Sequence, residues 1–133
     1  MMTATSQLQR IFLLVTAVGL TPIALSYGLM PEKSLPWLFG IDASAVNTRH
    51  IFRAIMGLYL ALIVFWLFGA FSPLLRVPAL WSLVVFMIGL AIGRILSLLV
   101  DGWPHPLLFV YLILELAFAA FGWLILRRTN PTA

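Results

Sequence analysis

Four apolar runs dominate the chain: Ile11–Met30, Ile51–Phe71, Ala79–Val100 and Leu107–Leu126, each 20 to 22 residues long. A helix rising 1.5 Å per residue needs about 20 residues to cross a ~30 Å hydrocarbon core, so each run is predicted to span a membrane as a helix. Breakers separate them: Pro31 and Pro36, then Ser72-Pro73 and Pro78, then Asp101-Gly102-Trp103-Pro104-His105-Pro106. Pro22 lies inside the first run and is predicted to kink it by removing a backbone bond. With two short connections, the runs predict an all-α fold: an integral membrane four-helix antiparallel bundle, residues 1–133 forming one membrane domain.

Composition agrees. The chain is 63% hydrophobic and 9% charged, where soluble domains are nearer half apolar and a quarter charged. Without cysteine there are no disulfides, thiolate metal sites or cysteine nucleophiles. The net charge of +4 comes from basic residues dispersed at span ends. They form no patch interleaved with stacking aromatics, so no nucleic-acid partner is expected.

Orientation follows the basic residues. Both termini and the second connection share one side, with Arg10, Arg76, Arg127 and Arg128; the other side has Lys33 and Arg49 with Glu32, Asp42 and Asp101. This places both termini in the cytoplasm, Trp81 and Trp123 near the inner interface, and Trp37 and Trp103 near the outer one. Arg10, an apolar run and Ala24-Leu25-Ser26 also fit a secretory signal with a small-x-small cleavage site. The run continues through Met30 and is long enough to span, so retention is expected. The outer loop 31–50 is too long for a turn, and its Leu35–Ile41 segment is expected to lie at the interface or cover the bundle. The tail Thr129–Ala133 is expected to be disordered.

Two opposite charges, Arg94 and Glu115, interrupt the last two runs. A charge near the bilayer centre costs about 3 kcal/mol on insertion scales, so it calls for a partner or a task. Counting from the turn at Asp101, Arg94 lies about 10 Å down one helix and Glu115 about 12 Å down the next from Leu107. Antiparallel neighbours thus bring guanidinium and carboxylate into reach. Arg94, Ser97 and Asp101 share a helix face. Gly89, Gly93 and Ser97 run beside it; Glu115, Ala119 and Gly122 form a stripe on the last helix; and Arg49, Arg53, Gly57 and Ala61 form another on the second. Small residues at four-residue steps predict close helix contact. These stripes direct Arg53, Arg94 and Glu115 inward, with Arg49, Asp101 and His105 at the outer mouth.

Each of these residues also has a scaffold role open to it. Arg94–Glu115 can fix helix register, Arg49 and Arg53 can snorkel to headgroups, and Asp101 can cap its helix. His50 and His105 lack ligand spacing, so no metal is expected. No nucleophile elbow or phosphate loop is present, and no catalytic residue or cofactor is assigned.

The segments Arg49-His50-Ile51-Phe52-Arg53-Ala54-Ile55-Met56-Gly57-Leu58-Tyr59-Leu60-Ala61 and Gly93-Arg94-Ile95-Leu96-Ser97-Leu98-Leu99-Val100-Asp101-Gly102-Trp103-Pro104, with Glu115, resemble a family of small bacterial four-helix membrane proteins of unknown function. The likeness runs from about Pro31 to Leu116. It implies four membrane helices in a bacterial cytoplasmic membrane and carries no activity. The architecture is more loosely similar to other small four-helix membrane proteins, including the DoxX-like group and sterol-isomerase relatives, by fold alone.

The sequence therefore favours a binding or accessory protein with an outward-facing polar pocket. Arg53, Arg94, Glu115, Asp101, Arg49 and His105 are the candidate ligand-binding residues. Expected partners are membrane lipids and a small amphipathic or anionic ligand, with a homo-oligomer or larger membrane complex also open. A dimeric proton-coupled transporter using Glu115 and a membrane-embedded enzyme are the alternatives. A nearby arginine holds a carboxylate ionised, which argues against proton exchange.

Overall fold

The computed structural model describes residues 2–129 of the chain. Five helices follow in order: α1 (Ala4–Gly28), α2 (Pro31–Phe39), α3 (Val46–Phe71), α4 (Pro73–Val100) and α5 (Pro106–Thr129). Four of them, α1, α3, α4 and α5, are long and apolar enough to cross a membrane. They form an all-α bundle in chain order, α1 against α3, α3 against α4 and α4 against α5, with α5 touching α1 only lightly.

The helices outrun the apolar stretches that mark them. α1 begins at Ala4, where the Thr3 hydroxyl accepts from the Ser6 N–H at 3.2 Å and caps the first turn. α1 continues through Pro22 to Gly28, and the Thr21 hydroxyl donates to the Ala17 carbonyl at 2.7 Å beside it. α4 starts one residue after α3 ends, with Pro73 in its first turn, and runs on through Pro78. The break between α3 and α4 thus falls at Ser72-Pro73 as expected, with Pro73 at a helix start where a missing N–H costs nothing, whereas Pro78 interrupts no element.

The segment 31–50 contains a helix that its apolar pattern did not mark. Pro31 stands in the first turn of α2 beside Glu32, and Gly40 ends it with a left-handed φ of 65°. The Gly40 N–H donates to the Pro36 carbonyl and the Ile41 N–H to the Leu35 carbonyl, a glycine-terminated helix end. Pro31, Leu35 and Phe39 are buried against the bundle while Trp37 is 83% exposed, so α2 closes that end over α1, α3 and α5.

The core runs down the bundle axis through Trp66, Leu13, Leu80, Leu83 and Met87, all essentially inaccessible. Its polar atoms are paired: Trp66 Nε1 donates to Ser82 Oγ at 3.0 Å, and the Thr16 hydroxyl donates to the Phe12 carbonyl at 2.9 Å. At the far end Gln9 Nε2 donates to Thr129 Oγ1 at 2.6 Å, tying the start of α1 to the end of α5. Thr129 is therefore helical, and the remainder of the tail expected to be disordered lies outside the described residues.

Of the glycines the spacing singled out, Gly122 makes close contact and Gly57, Gly89 and Gly93 do not, while Gly28 and Gly69 do so unmarked. A Cβ on Gly57, Gly89 or Gly93 would meet nothing within 4 Å, so these leave space open. A Cβ on Gly28 would come within 2.9 Å of Arg53 Cα, and one on Gly122 within 2.6 Å of Val84 Cγ2; one on Gly69 would collide with the Ala79 side chain. A small residue permits approach but does not compel it; the facing helix decides.

Candidate functional site

Arg94 and Glu115 meet between α4 and α5. Arg94 Nε donates to both Glu115 carboxylate oxygens at 2.9 Å, and Glu115 is 7% exposed. The pairing follows from register: on antiparallel neighbours joined by a short turn, residues seven before and fourteen after Asp101 return to nearly one level. A carboxylate accepting from a guanidinium is among the stronger hydrogen bonds a protein makes.

The bridge uses Nε alone. Neither Nη1 nor Nη2 takes part in it, and the Tyr27 hydroxyl stands within hydrogen-bonding reach of the guanidinium. Those nitrogens belong to a side chain that lines a groove of about 650 Å³ between α3 and α4, walled by Phe52, Ile55, Phe86, Gly89, Gly93 and Ser97 among others. The groove exists because Gly89 and Gly93 carry no side chain there and nothing from α3 fills the space.

All three tyrosines of the chain gather around the pair, a feature the sequence reading missed. The Arg94 Cζ lies 5.8 Å from the Tyr111 ring centroid, within cation–π range. Tyr27 stands beside the guanidinium, and its ring is 5.6 Å from that of Tyr59. Phe39 of α2 packs on Tyr27 at 5.6 Å and on Tyr111 at 6.1 Å, so the short helix forms part of the site's roof. Tyrosines with a polar tip inside apolar runs were the available signal.

Glu115 faces the other way. With Tyr111, Gly19, Ile23 and Leu114 it lines a separate cavity of about 120 Å³ between α1 and α5, two helices that touch only lightly. Tyr59 and Leu90 line both spaces, so the ion pair stands at the partition between them.

The other four candidates do not join this cluster. Arg53 is exposed, and its Nη1 donates to the Gly28 carbonyl at 2.8 Å, where the end of α1 leaves an acceptor free. The inward direction expected for it is not adopted. Arg49 Nη1 pairs with Glu32 of α2 at 2.9 Å, at the bundle surface. Asp101 accepts from the Ser97 hydroxyl at 2.7 Å at the end of α4, and His105 Nδ1 accepts from the Leu107 N–H at 3.3 Å at the start of α5. These four tie off helix ends and link α2 to α3.

Two carboxylates outside the candidate spans are held below their ordinary range. For Glu32 the cause is its own backbone N–H and then the Arg49 guanidinium. For Asp42 it is the Ser44 N–H and then the Ser44 hydroxyl, both at 2.9 Å.

Comparison with curated proteins and with solved structures returns no match for this chain. The model of a domain of unknown function (DUF4345) matches residues 8–126, and the chain belongs to that family, a family without an assigned activity, as the resemblance implies.

Proposed function

We propose that the protein is a multi-pass binding or accessory component of the bacterial cytoplasmic membrane, with both termini in the cytoplasm. Its ligand is a small amphipathic molecule whose head accepts hydrogen bonds from Arg94 and whose apolar part lies in the groove between α3 and α4. One observation carries this reading: Arg94 bonds Glu115 through Nε only, leaving both terminal nitrogens at the wall of a ~650 Å³ groove. A guanidinium carries five N–H donors and Glu115 engages one of them, so a ligand oxygen in the groove can accept from the terminal nitrogens.

The charge pattern refines the ligand. Glu115 balances Arg94, the one charged side chain that lines this groove, so no unpaired positive charge there calls for an anion. A carbonyl or hydroxyl head suffices, and aromatic and aliphatic walls favour a hydrocarbon or ring body. Proton-coupled exchange at Glu115 remains a second reading, supported by the separate cavities on either side of the pair. It requires the pair to open, which the two short contacts oppose.

The test is native mass spectrometry of protein extracted with its lipids, comparing wild type with the Arg94→Leu/Glu115→Leu double variant. The reading expects a retained amphiphile in the wild type and its loss from a folded double variant. Equal retention in both, or none in the wild type, contradicts it.

A further inference from the structure

The end of the bundle holding the start of α1, the α3–α4 turn and the end of α5 carries Arg10, Arg76, Arg127 and Arg128. The chain has four acidic side chains, Glu32, Asp42, Asp101 and Glu115, and none lies at that end. Arg76 is nonetheless 6% exposed. Its Nε donates to the Gly69 carbonyl at 3.3 Å, Nη2 to the Ala70 carbonyl at 3.0 Å and Nη1 to Ser6 Oγ at 2.5 Å. Gly69 and Ala70 belong to the last turn of α3, so Arg76 caps that helix. These acceptors satisfy donors but carry no net charge, and the partial charge of a helix C-terminus amounts to about half an electron. A guanidinium cannot escape by losing its proton.

Arg76 opens onto a cleft of about 410 Å³ that Ser6, Arg10, Phe71 and Pro73 also line. Arg10 stacks on Phe71, its Cζ 5.1 Å from the ring centroid, and among the described residues makes no hydrogen bond to protein. The Ser6 oxygen accepts from Arg76, which leaves its own O–H to donate. Two guanidinium groups and a hydroxyl thus border one open space that no acidic side chain among the described residues lines.

We propose that this cleft holds the phosphate of an anionic phospholipid headgroup between Arg10 and Arg76. Guanidinium forks match a phosphate's paired oxygens, and a buried unbalanced charge in a medium of low dielectric demands an anion. The cleft lies at the ends of the candidate spans, at the level of the headgroups, where lipid phosphate is the abundant anion and basic pockets between helices take it up. Arg76 and Arg94 lie eighteen residues apart on α4, about 27 Å at 1.5 Å per residue, so this site is separate from the groove. Phospholipid is present in both leaflets, so the assignment holds for either orientation.

The test titrates delipidated full-length protein in neutral detergent with phosphatidylglycerol, read by native mass spectrometry. Arg76→Gln also uncaps α3, so Arg10→Gln carries the comparison, with Arg10→Lys as the charge-preserving control. Removing one surface-level arginine is expected to weaken lipid binding about fivefold, with most of the affinity kept in Arg10→Lys. Inorganic phosphate alone separates the sources: no binding at millimolar concentration supports the lipid, whereas binding that Arg10→Gln abolishes overturns the lipid assignment. Equal phosphatidylglycerol affinity in folded wild type and Arg10→Gln overturns the site itself.

Discussion

Arg94 grips Glu115 edge-on, one nitrogen at 2.9 Å from each of two carboxylate oxygens, and thereby keeps the far edge of its guanidinium for something else. A purely structural bridge would gain from engaging the terminal nitrogens as well, because each further charged hydrogen bond strengthens the pair.

Removing one partner of a buried pair strands the other and costs about 3–5 kcal/mol, whereas removing both is often tolerated. Arg94→Leu and Glu115→Leu should each lower the melting temperature in detergent, and the double variant should largely recover. A double variant as unstable as the sum of the singles would show that the two residues act independently.

The glycines divide into two sets with opposite expected responses. Gly69→Ala and Gly122→Ala press a methyl into Ala79 and Val84 respectively, and overpacking of this kind costs about 1–3 kcal/mol. Gly57→Ala, where a Cβ meets nothing within 4 Å, should leave the melting temperature unchanged or raised. Thermal denaturation of the three single variants checks the contrast.

Glu32 and Asp42 are held below the usual carboxylate range, so what they contribute is fully present above their unfolded values, about 4, and is lost as pH falls through the lower folded ones. The melting temperature should decline below about pH 4. A Glu32→Gln/Asp42→Asn variant should show a shallower decline; an unchanged slope would remove both residues from the acid response.

Topology can be read from single cysteines, since the chain has none of its own. With both termini cytoplasmic, an impermeant thiol reagent on intact cells should label Asp42→Cys and spare Asn130→Cys. The reverse pattern would invert the bundle and turn the α2 end inward.

The helices were legible because a hydrocarbon core imposes a length, and Arg94 and Glu115 because a short turn fixes their depth. α2 was hidden by its brevity, although Pro31, Glu32 and Gly40 marked its two ends. Because α2 was read as loop, Glu32 was not recognised as the partner of Arg49. Arg53 was placed inward on spacing alone, but the free carbonyl of Gly28 at the end of α1 drew it outward. Gly89 and Gly93 suggested contact, yet the same spacing opens a groove when the facing helix stands away. Arg76 served only to orient the chain, although an arginine five residues past the end of α3 is well placed to cap its carbonyls.

The most direct test fills the groove without touching its charges. A Cβ at Gly93 would meet nothing within 4 Å and Gly93 lines the groove, so Gly93→Leu should fold with the wild-type melting temperature while occupying the space beside Arg94. The measurement is the amount of amphiphile that co-purifies with each protein, by native mass spectrometry after mild extraction. A retained molecule is expected in the wild type, with its near-complete loss in Gly93→Leu. Equal retention in a stable Gly93→Leu protein would contradict the groove as the binding site.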